Sequence, residues 1–179
     1  LTGDSLDYFV LPDGRLFLYL ADVSGSGTAA ALISMLLKSI VQEYVFGHPA
    51  SNVDADITPA ALLTYLNQRL LSYGSDRHIT LICMIVDTTR AVLQWSVAGH
   101  LPSPILYTAG RAVFLRGKGQ PVGLFEQAIF NDEQMPLPEA FSLSLFSDGI
   151  FDVLPEKHLI TSEAALPKLI RAVQGDYGA

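Results

Sequence analysis

Three aspartates in this sequence stand beside or near glycine at the ends of strand-like segments: Asp4 in "TGDSLD", Asp22 in "ADVSG" and Asp148 in "FSDG", with Asp7 three residues beyond the first. Carboxylates at strand ends converge at one edge of a sheet sandwich when the following chain can turn sharply, which glycine permits. Two carboxylates about 4 Å apart repel by roughly 4 kcal/mol at an effective dielectric of 20, so such a cluster is costly until cations neutralise it. All-oxygen donors with no His or Cys close by favour hard cations, Mg²⁺ or Mn²⁺, over zinc. Taken singly, each of these residues is equally well read as a turn or N-cap aspartate.

The stretch after Asp22 offers a competing chemistry. "GSGTAA" (25 to 30) satisfies G-x-G-x-x-A between a strand and a helix, the arrangement that places a pyrophosphate at a helix N-terminus. That reading requires a parallel strand soon after the helix, ending in an acidic residue about 20 positions beyond the glycines. The corresponding position falls in "QEYVFGHP", still in or just after the helix, and the next strand does not begin until His78. Asp22 beside the loop would also repel a phosphate that no cation neutralises. The dinucleotide reading is therefore set aside.

The elements that must carry the aspartates follow from pattern. "LDYFVLPDG" and "GRLFLYLAD" read as an antiparallel hairpin closed by Pro-Asp-Gly. The period turns helical from Thr28 to about Phe46, with Gly47 placed to end the helix. A second helix has Thr58 as N-cap, Pro59 at the first helical position, Gly74 as the stop, and Leu62, Leu63, Leu66 and Leu70 on its apolar face. "HITLICMIVD" and "RAVLQWSVAG" form the clearest hairpin; "PILYTAGRAVFL" is another with "AG" at its turn, and "AFSLSLFSDG" reads as a final strong strand. A last helix is expected within 162 to 174, its start blurred by Pro167. The order predicts an α+β fold, with helices covering antiparallel sheets.

Composition narrows the class. At 179 residues, half of them apolar, the chain reads as one domain spanning 1–179. A net charge of −7 without a basic run speaks against nucleic acid and anionic membrane as partners. The single Cys83 has no disulfide partner and sits in an apolar strand pattern, as a core residue would. No signal peptide is evident and the apolar runs read as too short to span a bilayer, so a cytoplasmic location is expected. The start, "LTGDSLD" without Met, reads as a cut inside a longer chain.

The words "GDSLD", "DVSGSGTAAAL", "AGHLPSP", "GQPVGLF" and "SDGIFD", in this order, resemble the successive motifs of the metal-dependent serine/threonine protein phosphatases, the PPM or type 2C family, and within it the bacterial SpoIIE-like branch. The resemblance covers nearly the whole chain. It implies a four-layer αββα sandwich of two antiparallel sheets flanked by helices, here truncated at both ends, with two divalent cations, Mn²⁺ or Mg²⁺, at one end of the paired sheets. By the same resemblance Asp22 bridges the two ions, Asp4 and the backbone carbonyl of Val23 hold one, and Asp148 holds the other; Asp22 and Asp148 are the catalytic pair, and Asp7 is a weaker candidate acting through a water. The implied chemistry is attack of a metal-bridging water on a phosphoserine or phosphothreonine, with the cations neutralising the phosphoryl oxygens. No protein nucleophile is then needed, in keeping with a Cys83 in a core strand and with Ser24 and Ser26 lacking a His-Asp partnership.

Three departures from the branch's pattern stand out. Ser26 replaces the usual histidine of Gly-His-Gly, Thr2 replaces a glycine, and the chain stops at "QGDYGA" before the family's last metal-binding aspartate, for which Asp176 is no match. His100 in "AGHLPSP" is read first as a turn residue and second as a catalytic one. The resemblance further implies a phosphorylated protein substrate, an anti-sigma-factor antagonist in a bacterial partner-switching pathway, an upstream sensor or receiver domain in the same longer chain, and compatibility with a homodimer. The rival is a degenerate phosphatase-fold adaptor that holds a sigma-factor-pathway partner without turnover; the retained Asp4, Asp22 and Asp148 favour the enzyme.

Overall fold

A computed structural model of the chain describes residues 3–47, 57–154 and 159–176. In chain order its elements are β1 (Ser5–Val10), β2 (Leu16–Val23), α1 (Thr28–Phe46), α2 (Pro59–Ser72), β3 (Ile79–Asp87), β4 (Val92–Ala98), β5 (Ile105–Thr108), β6 (Arg111–Phe114), β7 (Glu133–Pro136), β8 (Ser142–Ser144), α3 (Ile150–Val153) and α4 (Leu159–Asp176). The backbone divides into two compact units, Leu1–His100 with Gly117–Leu137, and Leu101–Arg116 with Pro138–Ala179.

The first unit is an antiparallel sheet of order β1-β2-β3-β4-β7 with α1 and α2 on one face. Its first hairpin turns where Leu11 and Gly14 exchange backbone bonds with Arg15 and Leu11, Gly14 taking φ +85°. Register follows directly: Ser5 faces Ala21 and Val10 faces Leu16. Alternate residues of β2 and β3 then point to one side, so Phe17, Tyr19, Ala21 and Val23 join Leu81, Cys83 and Ile85 under the helices. α1 contributes Leu37, Ile40, Val41 and Val45 to this core, and α2 contributes Leu62, Leu63, Leu66 and Leu70. The Thr58 hydroxyl caps α2 by accepting from the Ala61 N–H at 3.3 Å, with Pro59 at the first helical position and Gly74 at φ +63° just past the end.

α1 corrects one expectation. Its 19 residues, at a mean hydropathy of 1.4, are long and apolar enough to cross a membrane, so the apolar runs are not all too short. Here the helix lies along the sheet with Ala30, Leu37, Ile40, Val41 and Val45 buried.

The second unit carries the sheet β6-β5-β8. The β5–β6 turn is made by Ala109 at φ 46° and Gly110 at φ 76°, the pair of left-handed residues that a two-residue hairpin loop requires. α4 lays Leu166 and Ile170 against Ile105, with Tyr107, Phe114 and Phe146 around them. It runs through Pro167, and Glu163 near its start accepts from the Ser103 N–H at 2.9 Å.

One expected element changes and two further elements are present. The final strong strand over 140 to 149 shrinks to Ser142–Ser144, because its partner β5 is itself only four residues long and pairs with it from Ile105 to Tyr107. The polar segment Glu133–Pro136, for which the pattern gave no element, forms an edge strand beside β4, where the outer edge of a buried strand is open to pairing. The residues after Asp148 form the single turn α3, closed by Ile150, Phe151 and Asp152 N–H bonds to the carbonyls of Ser147, Asp148 and Gly149.

Candidate metal centre

Asp4 lies one residue before β1 and Asp22 one before the end of β2. Continuing the hairpin register one step beyond Ser5–Ala21 sets them opposite each other, on the sheet face away from α1 and α2. Directly opposed side chains of an antiparallel pair stand with Cβ atoms about 5 Å apart. A carboxylate oxygen of Asp4 accordingly comes within 4.8 Å of one on Asp22, with Asp4 exposed and Asp22 half-buried. At that separation the two charges repel by about 3 kcal/mol at an effective dielectric of 20.

The backbone at Val23 is organised around the same spot. Its N–H donates to the Gly3 carbonyl at 3.4 Å, so in an extended strand its own carbonyl faces the same side. A Cβ on Gly3 would stand 2.5 Å from the Val23 oxygen, which makes glycine a requirement of this close approach. Ser34 of α1 adds a hydroxyl bond to the Gly3 carbonyl at 3.1 Å, tying that helix to the residue before Asp4. Two carboxylates, with the Val23 carbonyl on the adjoining backbone, are oxygen donors of the kind that suit a hard divalent cation.

Asp7 is not part of this group. A spacing of three along a strand puts it on the opposite face from Asp4, where it meets Lys38 of α1 at 2.7 Å. Asp148 belongs to the second unit and is exposed in the turn between β8 and α3, its carbonyl accepting from Phe151 N–H at 2.9 Å.

Two other quoted motifs reach the Asp22 end of the first sheet. Val122 bridges Ile79, and Ile79 pairs with Val23. Gly99, at φ 67°, bridges Leu81, and its Cα approaches so closely that a Cβ there would meet the Pro121 ring at 2.9 Å. His100 beside it is buried at 3% exposure. Cys83 is fully buried, and burial pushes its thiol up, away from a reactive thiolate.

Ser24 is held by residues absent from the sequence-based site. Its N–H donates to the His78 carbonyl at 3.0 Å, its hydroxyl accepts from the His78 N–H at 3.1 Å, and its carbonyl accepts from Arg77 Nη1 at 2.6 Å. Arg77 and His78 are 53 and 54 residues away in the chain, so only the β2–β3 pairing brings them here. The sheet is antiparallel between β2 and β3, which removes the parallel strand that a dinucleotide site after Gly25 would need.

Comparison with known proteins bears on the family and the fold. The sequence profile of the family described as Stage II sporulation protein E (SpoIIE) matches residues 12–177. Phosphoserine phosphatase RsbP of Bacillus subtilis is 27% identical over 157 residues, covering 85% of this chain and 37% of RsbP. The crystal structure of the RsbU and RsbW domains of Rv1364c from Mycobacterium tuberculosis superposes with a TM-score of 0.77 at 26% identity, over 94% of this chain and 45% of that one. The PP2C phosphatase domain of SpoIIE from Bacillus subtilis shares the fold at a TM-score of 0.70 and 18% identity, over 92% of this chain and 46% of that one. The chain thus spans less than half the length of each of these relatives. Two antiparallel sheets, each with helices packed on it, are the α+β architecture of the PP2C-type phosphatases, and the chain belongs to the SpoIIE family.

Proposed function

We propose that this chain is a divalent-cation-dependent protein phosphatase that hydrolyses a phosphoserine or phosphothreonine on a regulatory protein, an anti-sigma-factor antagonist of a bacterial partner-switching pathway in the cytoplasm. The observation that carries the reading is the opposed Asp4–Asp22 pair beside the Val23 carbonyl, in a chain of the SpoIIE family. A pair of like charges placed directly opposite is unfavourable on its own, and an enzyme that loads cations there has a use for it. RsbP, named a phosphoserine phosphatase, supports the substrate class.

In this reading Asp22, Asp4, the Val23 carbonyl and Asp148 are the groups that would hold the divalent cations, Mn²⁺ or Mg²⁺. When bound, the cations supply a nucleophilic water near neutral pH and neutralise the phosphoryl oxygens of an in-line displacement. The chain supplies positions: the hairpin register opposes the two carboxylates, and Gly3 lets the Val23 oxygen approach. Neither Cys83, buried with its thiol pushed up, nor Ser24, whose hydroxyl accepts from the His78 N–H, is placed as a competing nucleophile.

The test is turnover of p-nitrophenyl phosphate and of a phosphoserine peptide with Mn²⁺ or Mg²⁺, comparing the chain with its Asp22→Ala variant. Metal-dependent turnover that falls by at least a hundredfold in Asp22→Ala is the expected result. Absence of both turnover and metal binding in the unaltered chain would favour the adaptor, which Asp22→Ala would leave fully able to bind its partner.

A further inference from the structure

We propose that Arg77 is a positioning residue of the metal loop: its guanidinium captures the Ser24 carbonyl and thereby fixes where β2 leaves the sheet and where the Val23 oxygen points. This rests on the cation-dependent reading above.

In a regular antiparallel ladder, Ser24 and His78 would exchange both backbone bonds, N–H of each to carbonyl of the other. Only half of that exchange is present. Ser24 N–H donates to the His78 carbonyl, but the His78 N–H goes to the Ser24 hydroxyl instead of the Ser24 carbonyl. The side chain has taken the place of the backbone acceptor, and the released carbonyl has turned to Arg77 Nη1 at 2.6 Å. A charged donor makes this bond stronger than the neutral one it replaces.

The consequences run both ways along the chain. Downstream, diverting the Ser24 carbonyl sets Gly25 at φ +87° and starts the Gly25–Gly27 loop. The guanidinium lies so close over Gly25 that a Cβ there would overlap Nη1, so the glycine serves both the backbone angle and the arginine. Upstream, the peptide joining Val23 to Ser24 is planar and trans, so its C=O points opposite to its N–H. With that N–H held by His78, the Val23 oxygen is directed toward Gly3 and away from β3.

Arg77 is itself well seated. Its N–H donates to Ser75 Oγ at 3.1 Å, and its carbonyl lies 3.3 Å from where a Gly123 Cβ would stand. The Arg77 backbone is thus anchored in the segment that opens β3, and from there its guanidinium reaches the Ser24 carbonyl.

The decisive experiment is calorimetric titration of Mn²⁺ into the chain and into Arg77→Ala, Arg77→Lys and Asp22→Ala. Thermal unfolding without metal is recorded for each variant to establish that it is folded. Arg77→Ala is expected to weaken Mn²⁺ binding at least tenfold, while KM for a phosphoserine peptide at saturating Mn²⁺ stays within twofold. Arg77→Lys, which keeps a charged donor, should recover most of the affinity. Unchanged Mn²⁺ affinity in folded Arg77→Ala overturns the proposal, as does a rise in KM alone, which would make Arg77 a direct phosphoryl contact. If Arg77→Ala fails to fold, Arg77→Gln decides on the same readout. A chain that binds no Mn²⁺ at all overturns this inference together with the metal centre, whereas binding lost in Asp22→Ala and kept in Arg77→Ala overturns this inference alone.

Discussion

Asp4 and Asp22 are opposed on the same face of a hairpin, and that placement has a thermodynamic signature separate from catalysis. Removing one charge from a directly opposed like pair relieves repulsion, by up to about 1 kcal/mol for partly exposed groups. Asp4→Asn is therefore expected to raise the urea midpoint of the metal-free chain and to abolish the further rise that Mn²⁺ gives the parent chain. A turn or cap aspartate would behave oppositely, since its loss removes a local hydrogen bond and lowers the midpoint. Both aspartates were recognisable in the sequence because a hairpin closed by Pro-Asp-Gly carries its own register. Asp7, the weaker candidate acting through a water, stands three residues from Asp4, and strand alternation turns it to the other face, where it pairs with Lys38. Arg77 left no trace in the sequence, since its partner Ser24 is reached only through the pairing of strands distant in sequence.

At the level of elements, the loop 119–125 is fastened to α2 by one side chain. Asn67 is 3% exposed; its amide donates to the Phe125 carbonyl at 2.9 Å and its oxygen accepts from the Gly123 N–H at 2.8 Å. Gly123 sits at φ +83° with Leu70 and the Arg77 carbonyl at its Cα, so the loop, α2 and the start of β3 meet there. Asn67→Leu leaves two backbone groups without their partner, and a loss of about 2–3 kcal/mol is expected by urea unfolding. The apolar face of α2 was plain from leucine spacing, and Asn67 on that face was the unread signal: a polar residue among Leu63, Leu66 and Leu70 has to find partners. Caps and two-residue turns were legible because Thr58, Pro59, Gly74 and Ala109-Gly110 act locally. β7 and the shortened β8 were not, because their lengths are set by the edges they pair with.

Across the whole first unit, one row of side chains crosses four strands beneath the helices: Asp7 faces Tyr19, Tyr19 faces Cys83, and Cys83 faces Ser96. Burial pushes the Tyr19 phenol up to about 12 from 10.0 and lifts the Cys83 thiol above 9.0; Tyr44 between the helices is also raised, first by burial and then by Asp132. Each group keeps its proton in the folded chain at a pH where the unfolded chain has released it. Their contribution is therefore complete below about pH 9 and is lost as pH rises toward the folded values. Stability should be flat with respect to these groups from pH 7 to 9 and fall between pH 9 and 12, with a limiting slope of about 1.4 kcal/mol per pH unit for each group. Urea unfolding at stepped pH checks this. Tyr19→Phe is expected to flatten the fall above pH 10 without removing it, because Cys83 and Tyr44 continue to titrate in the unfolded chain. An unchanged slope in Tyr19→Phe would mean that the phenol ionises in the folded chain as freely as in water, against its place in the core under α1.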